Sequence, residues 1–127
     1  MSHKKRKTAS NVNIENALLK LEFPLINNNG AKVLLKKSNS SHSRSKHIAK
    51  QYHGLKEKDI RLIPDALLKP DYVVKDPKVK LNKNYYKRRN GEKKILFLKV
   101  VTKIIGLKEE QIVTVFTTNN IKGWRLI

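Results

Sequence analysis

The sequence predicts an α+β domain, with two helices packed on one face of a four- to five-stranded antiparallel sheet. Three observations lead to this prediction. Apolar residues recur at helical spacing between residues 48 and 63. From residue 71 onward the pattern changes to short β-rich runs. The dipeptide Asn90-Gly91, a strong hairpin signal, lies between the two longest of these runs.

The N-terminal part of the chain predicts a tail followed by a hairpin. Residues 1–11 are basic and lack apolar periodicity, so we expect a disordered tail and a single domain over residues 12–127. Residues 18–26 and 31–35 flank a turn of three asparagines and Gly30, which predicts a hairpin. Pro24 predicts that the first of these strands lies at a sheet edge or is broken.

Two helices are predicted in the middle of the chain. The first runs from about Ser43 to His53, because apolar side chains recur on one side and Gly54 stands at its C-terminal end. The second covers residues 56–63 and turns Ile60 and Ile63 inward. We expect Pro64 to end this helix and to start a separate turn.

The last part of the chain predicts the main strands. They cover residues 71–75, 79–88, 93–102 and 111–118. The apolar run over 95–101 suits a central strand that is buried on both faces, and residues 106–111 read as a loop. We expect Trp124 and Ile127 to cover an edge of the core.

The charge of the chain predicts a polyanionic partner. Lys and Arg number 29 against 10 Asp and Glu, a formal charge of +19, and such an excess suits counterion release on nucleic acid. The chain has no cysteine, which excludes disulfides, thiolate metal sites and a thiol nucleophile. No apolar run approaches the roughly 20 residues that span a bilayer. We therefore expect no membrane partner and a cytoplasmic protein, or one delivered into a target cell.

Residues 41–54 hold three of the four histidines among serines and cations. This composition suits cleavage of RNA by transesterification, in which a base takes the 2′-OH proton and an acid protonates the leaving 5′ oxygen. No metal and no cofactor are needed. Cations and a hydroxyl would stabilise the charge on phosphorus. The candidate catalytic residues are His47, His53, Lys46, Arg88 and Thr114.

Further residues are candidates for binding nucleic acid. The segment 85–89 interleaves aromatic rings with cations, which suits base stacking and phosphate contact. The candidates are Lys50, Tyr85, Lys87, Arg89 and Thr117. The alternative is that one tyrosine faces the core and the charges belong to a solvated strand end.

The histidines have ordinary interpretations as well. His53 precedes Gly54 in the last helical turn, where the helix dipole favours a cationic imidazole. His42 lies in a serine-rich loop, where solvation suffices. On a helical wheel His47 and His53 do not share a face, and they stand about 9 Å apart along the axis. A site that uses both needs a side chain from the sheet.

The stretch 46–55, the segment 60–70 (IRLIPDALLKP), the following Asp71-Tyr72-Val73-Val74 and the later strands resemble small nucleases of the barnase–EndoU–colicin–RelE superfamily. The most similar branch occurs in phage polyvalent proteins and bacterial toxin tails, and the resemblance covers about residues 34–119. It implies two helices on a four-stranded antiparallel sheet and metal-independent cleavage of RNA, frequently of tRNA. Fold likeness alone does not establish catalysis.

The resulting hypothesis is a metal-independent ribonuclease, acting as a toxin or a phage effector on RNA such as tRNA. A nuclease of this charge implies an acidic immunity protein or antitoxin as a second partner. The alternative hypothesis is a non-catalytic basic module that binds RNA or DNA, which needs only the charge, the tail and the Tyr–Arg segment.

Overall fold

The structure is a computed structural model that describes residues 16–35, 55–89, 93–121 and 124–125. A short helical segment at residues 16–20 (α1) precedes the sheet. The other elements, in chain order, are β1 Leu25–Ile26, β2 Lys32–Leu35, α2 Glu57–Leu68, β3 Tyr72–Lys75, β4 Asn82–Arg88, β5 Phe97–Gly106, β6 Glu109–Thr118 and β7 Trp124–Arg125.

The α+β class is confirmed, but the sheet is larger than expected. Its strand order is β1-β2-β6-β5-β4-β3-β7, seven strands within the described parts of the chain. β3 to β6 form an antiparallel meander, whereas β2 pairs with β6 in parallel, Lys32 lying opposite Glu109. The prediction of four or five strands, all antiparallel, is therefore wrong, because a pairing between segments so far apart leaves no local sequence signal.

The predicted hairpin around the three asparagines is confirmed in its turn and second strand. Gly30 adopts a left-handed φ of 81°, and the Asn27 side-chain oxygen accepts hydrogen bonds from the amides of Asn29 and Ala31. β1 has only two residues and lies at the sheet edge, as Pro24 predicts. Residues 16–20 are helical rather than extended, which places Leu18 in the core.

α2 continues through Pro64, so the predicted break at this residue is wrong. Its first turn is secured because the Asp59 carboxylate accepts the Lys56 amide at 2.8 Å. Beyond Pro64 the same face continues to be buried, and Ile60, Ile63 and Leu67 are all fully inaccessible. Burying this apolar stripe offsets the cost of one proline inside the helix.

Pro64→Ala is expected to raise the free energy of unfolding by about 1–2 kcal/mol. An internal proline costs roughly 3 kcal/mol through its missing amide and its clash with the preceding turn. Proline also lowers the conformational entropy of the unfolded chain, which offsets part of that cost. Urea unfolding of the two proteins measures the difference; an alanine variant less stable than the wild type would contradict this account of α2.

The long hairpin of β4 and β5 is confirmed, with shifted boundaries. Arg88 lies opposite Phe97, and the segment before β4 is a turn rather than a strand, because Asp76 Oδ1 accepts the amides of Lys78 and Val79. β5 continues to Gly106, and a two-residue turn leads into β6 at Glu109. The predicted loop over 106–111 is therefore wrong, and a second tight hairpin takes its place.

The sheet buries side chains on both faces. The face that packs on α2, called the helix face, carries Tyr85, Leu98 and Val100 together with Ile60 and Ile63 of the helix. The opposite face, called the far face, carries a smaller cluster formed by Val74, Tyr86 and Phe97. Because neighbouring residues of a strand point to opposite faces, each candidate side chain of β4, β5 and β6 can be assigned to the helix face or to the far face.

Several predicted features lie outside the described residues: the tail over 1–11, the helix over 43–53, the Asn90-Gly91 turn and Ile127. Trp124 belongs to β7, whose backbone pairs with β3. In the described part of the chain, no helix has the length and apolar character needed to cross a membrane.

Candidate nucleic-acid interface

The predicted site divides into two parts. His47, His53, Lys46 and Lys50 lie outside the described residues. The structure places the other six candidates, which are Tyr85, Lys87, Arg88, Arg89, Thr114 and Thr117. They do not gather at one point, because they belong to both faces of the sheet.

Tyr85 is part of the core rather than a stacking platform. Its ring is fully buried on the helix face. Its hydroxyl donates a 2.6 Å hydrogen bond to Glu110 Oε1. Burial, reinforced by this bond to the Glu110 carboxylate, raises the pKa of Tyr85 well above 10. The prediction that Tyr85 stacks on a base is therefore wrong, because no ring surface is accessible.

Arg89 and Lys87 also serve the fold. Arg89 is buried, and its Nε lies 2.9 Å from Asp59 Oδ1 of α2. This ion pair joins the end of β4 to the start of the helix and corrects the prediction that Arg89 contacts phosphate. Lys87 Nζ donates to the Lys69 carbonyl at 2.8 Å, just beyond the last turn of α2, where a cation is favourable. Thr117 of β6 lies on the same face as Lys87 of β4, and Leu98 of β5 stands between them.

Arg88 and Thr114 share the far face, but they do not meet. Arg88 lies in the row Arg88–Phe97–Thr118, whereas Thr114 lies in the row Asn84–Val101–Thr114. Four residues of strand separate these rows, about 13 Å along the strand direction. One phosphate group does not span that gap, so the two side chains need a further cation between them.

Lys99 lies in the row between these two. It is flanked by Tyr86 on β4 and by Phe116 on β6. Its ammonium is 5.6 Å from the centre of the Tyr86 ring and 5.0 Å from that of Phe116. Both distances lie within the range of cation–π attraction. The rings hold a half-buried positive charge in the middle of the far face.

The electrostatic setting of Lys99 is unusual for a lysine. Burial lowers the pKa of Lys99 below its ordinary 10.5, although the Asp76 carboxylate acts in the opposite direction. Burial alone would raise the pKa of Asp76. Hydrogen bonds from the amides of Val79 and Lys78 and from the Asn84 side chain, with the charge of Lys99, bring it below 3.8. Asp76 is thus an anion at neutral pH, and it accepts a hydrogen bond from the Asn84 side chain.

Polar atoms with unused hydrogen-bonding capacity surround Lys99. Within the described residues, three buried side-chain oxygens on this face have no hydrogen-bond partner: Thr114 Oγ1, Asn84 Oδ1 and Asn82 Oδ1. Asn84 and Thr114 lie in the row next to Lys99. Unpaired buried polar atoms are costly. The Thr114 hydroxyl and the Lys99 ammonium can donate to a phosphate, whereas the two asparagine oxygens only accept and suit a hydroxyl of the ligand.

Lys99 is not among the residues that the sequence predicts for the site, although the sequence contains a signal for it. The run Ile95–Val101 is apolar except for this lysine. A lysine inside a strand that is buried on both faces carries a desolvation cost, which makes it a candidate for function. The predicted central strand is confirmed as β5, and Lys99 is the charged residue that interrupts its apolar run.

Lys99→Arg is expected to change how binding responds to alkaline pH. Because the pKa of Lys99 lies below 10.5, its charge is lost early as the pH rises, whereas an arginine stays cationic. Affinity for 2′-O-methyl RNA, which lacks the attacking hydroxyl, is measured between neutral pH and about pH 10. The wild type loses affinity at a lower pH than the variant; coinciding profiles would contradict a charged contact from Lys99.

Comparison of the chain with protein-family models, with curated proteins and with solved structures gave no match.

Proposed function

We propose that this protein is a metal-independent ribonuclease of the barnase–EndoU–colicin–RelE superfamily, and that it holds RNA on the far face of its sheet. The observation that carries the proposal is the half-buried Lys99, set between two aromatic rings and beside the unpaired hydroxyl of Thr114. Two further features support it: the charge of +19 and the antiparallel meander of β3 to β6, the layout that the resemblance implies.

The proposed reaction is an intramolecular transesterification. A base removes the 2′-OH proton, the 2′ oxygen attacks phosphorus, the bond to the 5′ oxygen breaks, and an acid protonates that oxygen. Lys99 supplies positive charge to the phosphoryl oxygens. The Thr114 hydroxyl, which is buried and has no partner, becomes their hydrogen-bond donor once RNA displaces the side chains that cover it. Arg88, in the row beyond Lys99, holds a neighbouring phosphate of the strand.

Proton transfer falls to the histidines of residues 41–54. We propose His47 as the main proton-transfer residue, with His53 as its partner or as a helix cap. Lys46 and Lys50 lie next to them in sequence and add phosphate contacts. Among the described residues, Asp76 is the carboxylate whose charge acts on the pKa of Lys99. Because its pKa is below 3.8, it is a weak base at neutral pH.

Incubation of the wild type and of His47→Ala with purified tRNA and mRNA, in EDTA, tests the proposal. We expect the wild type to give fragments that end in a cyclic phosphate, and His47→Ala to bind RNA but leave it intact. Intact RNA with folded wild type at high protein concentration would overturn the proposal. Salt-sensitive binding without cleavage would instead indicate the non-catalytic RNA-binding module.

A toxin or effector of this kind also implies an acidic immunity protein or antitoxin that covers the far face. Cleavage of tRNA would suit the superfamily, and the cytoplasm, its own or that of a target cell, would supply the substrate. Inhibition of cleavage by a small acidic protein encoded beside this chain would support the toxin interpretation.

A further inference from the structure

The tip of the β5–β6 hairpin exposes apolar side chains that the core does not use. Leu107, at the apex of the two-residue turn, is fully exposed. Ile105 and Ile104 precede it on β5 and are 45% and 38% exposed. Beside them the Ile104 amide donates to the Leu81 carbonyl at 2.9 Å. This contact brings the exposed Leu81 beside the tip, and Val79, two residues earlier in the chain, is exposed as well.

Lysines surround this apolar tip. Within the described residues, the exposed cations of these two turns and of the adjoining strand ends are Lys32, Lys78, Lys80, Lys103 and Lys108. The carboxylates of the same region are Glu109, which is exposed, and Asp76, whose carboxylate is engaged by two backbone amides. The collar is therefore cationic, and it suits a partner that offers negative charge around an apolar interior.

Although the sequence has no membrane-spanning run and therefore predicts no membrane partner, we propose that the hairpin tip inserts into the interface of a membrane rich in anionic lipids. Ile105 is a bulged residue without a pairing partner on β6, so the alternation of strand faces is interrupted there, and exposed apolar side chains occupy the strand end, the bulge and the apex of the turn. A protruding turn of this kind buries its apolar side chains by immersion in the headgroup and acyl boundary of a bilayer. The lysine collar then lies at the level of the lipid phosphates.

The hairpin is held firmly at its base, as insertion requires. Glu110, the second residue of β6, is buried and accepts hydrogen bonds from Tyr85 and Thr102. The Lys32 amide donates to the Lys108 carbonyl at 2.9 Å, which attaches the turn to β2. The tip lies at the end of β5, away from Lys99, so the membrane proposal does not rest on the ribonuclease proposal.

The test measures binding to vesicles of phosphatidylcholine alone or mixed with phosphatidylglycerol. Leu107→Ser keeps the charge and is expected to weaken binding to the mixed vesicles about tenfold, the loss that removal of one buried leucine implies. Leu19→Ser, an equally apolar exposed position on α1, is the matched control and should bind as the wild type does. Equal binding by all three proteins, or no binding to anionic vesicles, would overturn the proposal.

A second measurement separates insertion from adsorption by charge. Leu107→Trp places a fluorophore at the tip, and lipids brominated near the headgroup are expected to quench its emission beyond that of the wild type. Leu19→Trp should show no such added quenching. Added quenching that is equal for both variants, or absent for both, would overturn insertion and leave charge adsorption or an acidic protein partner as the use of this surface.

Discussion

Glu110→Ala is expected to lower the free energy of unfolding by roughly 3–5 kcal/mol, the cost of breaking a buried ion pair. The Glu110 carboxylate is the centre of the buried polar network on the helix face. It accepts Tyr85 and Thr102 on Oε1, at 2.6 and 2.7 Å, and Asn27 and Lys83 on Oε2, at 2.9 and 3.0 Å. Its removal leaves the partly buried Lys83 charge and the buried hydroxyls of Tyr85 and Thr102 without their acceptor, while Asn27 keeps only its contact with Tyr85 Oη.

Glu109→Ala is the matched control, because Glu109 is the exposed neighbour on the same strand. It removes the same charge and should change stability by no more than about 0.5 kcal/mol. Urea unfolding of both variants measures the contrast. Equal effects of the two substitutions would show that net charge, rather than the buried network, sets the stability of this hairpin.

The network also joins elements that are distant in sequence. Asn27 belongs to the first hairpin, Tyr85 to β4 and Glu110 to β6. The Asn27 amide nitrogen contacts both Tyr85 Oη and Glu110 Oε2 at 2.9 Å. We therefore expect Glu110→Ala to loosen the pairing of β2 with β6 as well. Hydrogen exchange of the β2 amides measures this loosening.

Lys99→Met is expected to reduce RNA cleavage about a hundredfold, the lower range for removing one group that stabilises transition-state charge. Methionine fills a similar volume and can keep the packing between Tyr86 and Phe116. It removes the ammonium that we place against the phosphoryl oxygens. Affinity for 2′-O-methyl RNA should fall less than the cleavage rate does, since part of the contact forms only as negative charge develops.

The same substitution is expected to leave the protein equally stable or more stable. Because burial lowers the pKa of Lys99 on folding, keeping this group protonated at neutral pH costs folding free energy. That penalty disappears as the pH rises above the native pKa of the group, and it is absent in the methionine variant. Thermal unfolding at neutral pH measures it. A large loss of stability would identify Lys99 as a structural cation.

Local signals predicted much of the meander but little of its surroundings. The asparagine-rich turn, the β4–β5 hairpin and the inward faces of Ile60 and Ile63 follow from turn chemistry and periodicity. The parallel pairing of β2 with β6 depends on contacts between distant segments, which no local pattern encodes. Pro64 misled because tertiary burial of the α2 face outweighs a local penalty.

The candidate site was predictable only in part for a related reason. The sequence allows two interpretations of the segment 85–89, a binding surface or a core tyrosine beside solvated charges. Strand alternation sends Tyr85, Lys87 and Arg89 to the helix face and Arg88 to the far face. The prediction of a strand at Thr114 is confirmed, although β7 follows it in the chain. Arg88, predicted for the same catalytic site, lies two rows away from Thr114. Lys99 lies in the row between them, a position that depends on the register of β4, β5 and β6 and that no local pattern encodes.

The most direct test of the central claim, that RNA is cleaved on the far face, compares cleavage by two lysine variants in EDTA. Lys99→Met removes the cation of the far face, and Lys20→Met removes an exposed cation of α1 with the same change in net charge. We expect the wild type and Lys20→Met to cleave RNA at similar rates and Lys99→Met to be about a hundredfold slower. Equal rates for the two variants, with the wild type active, would contradict the claim.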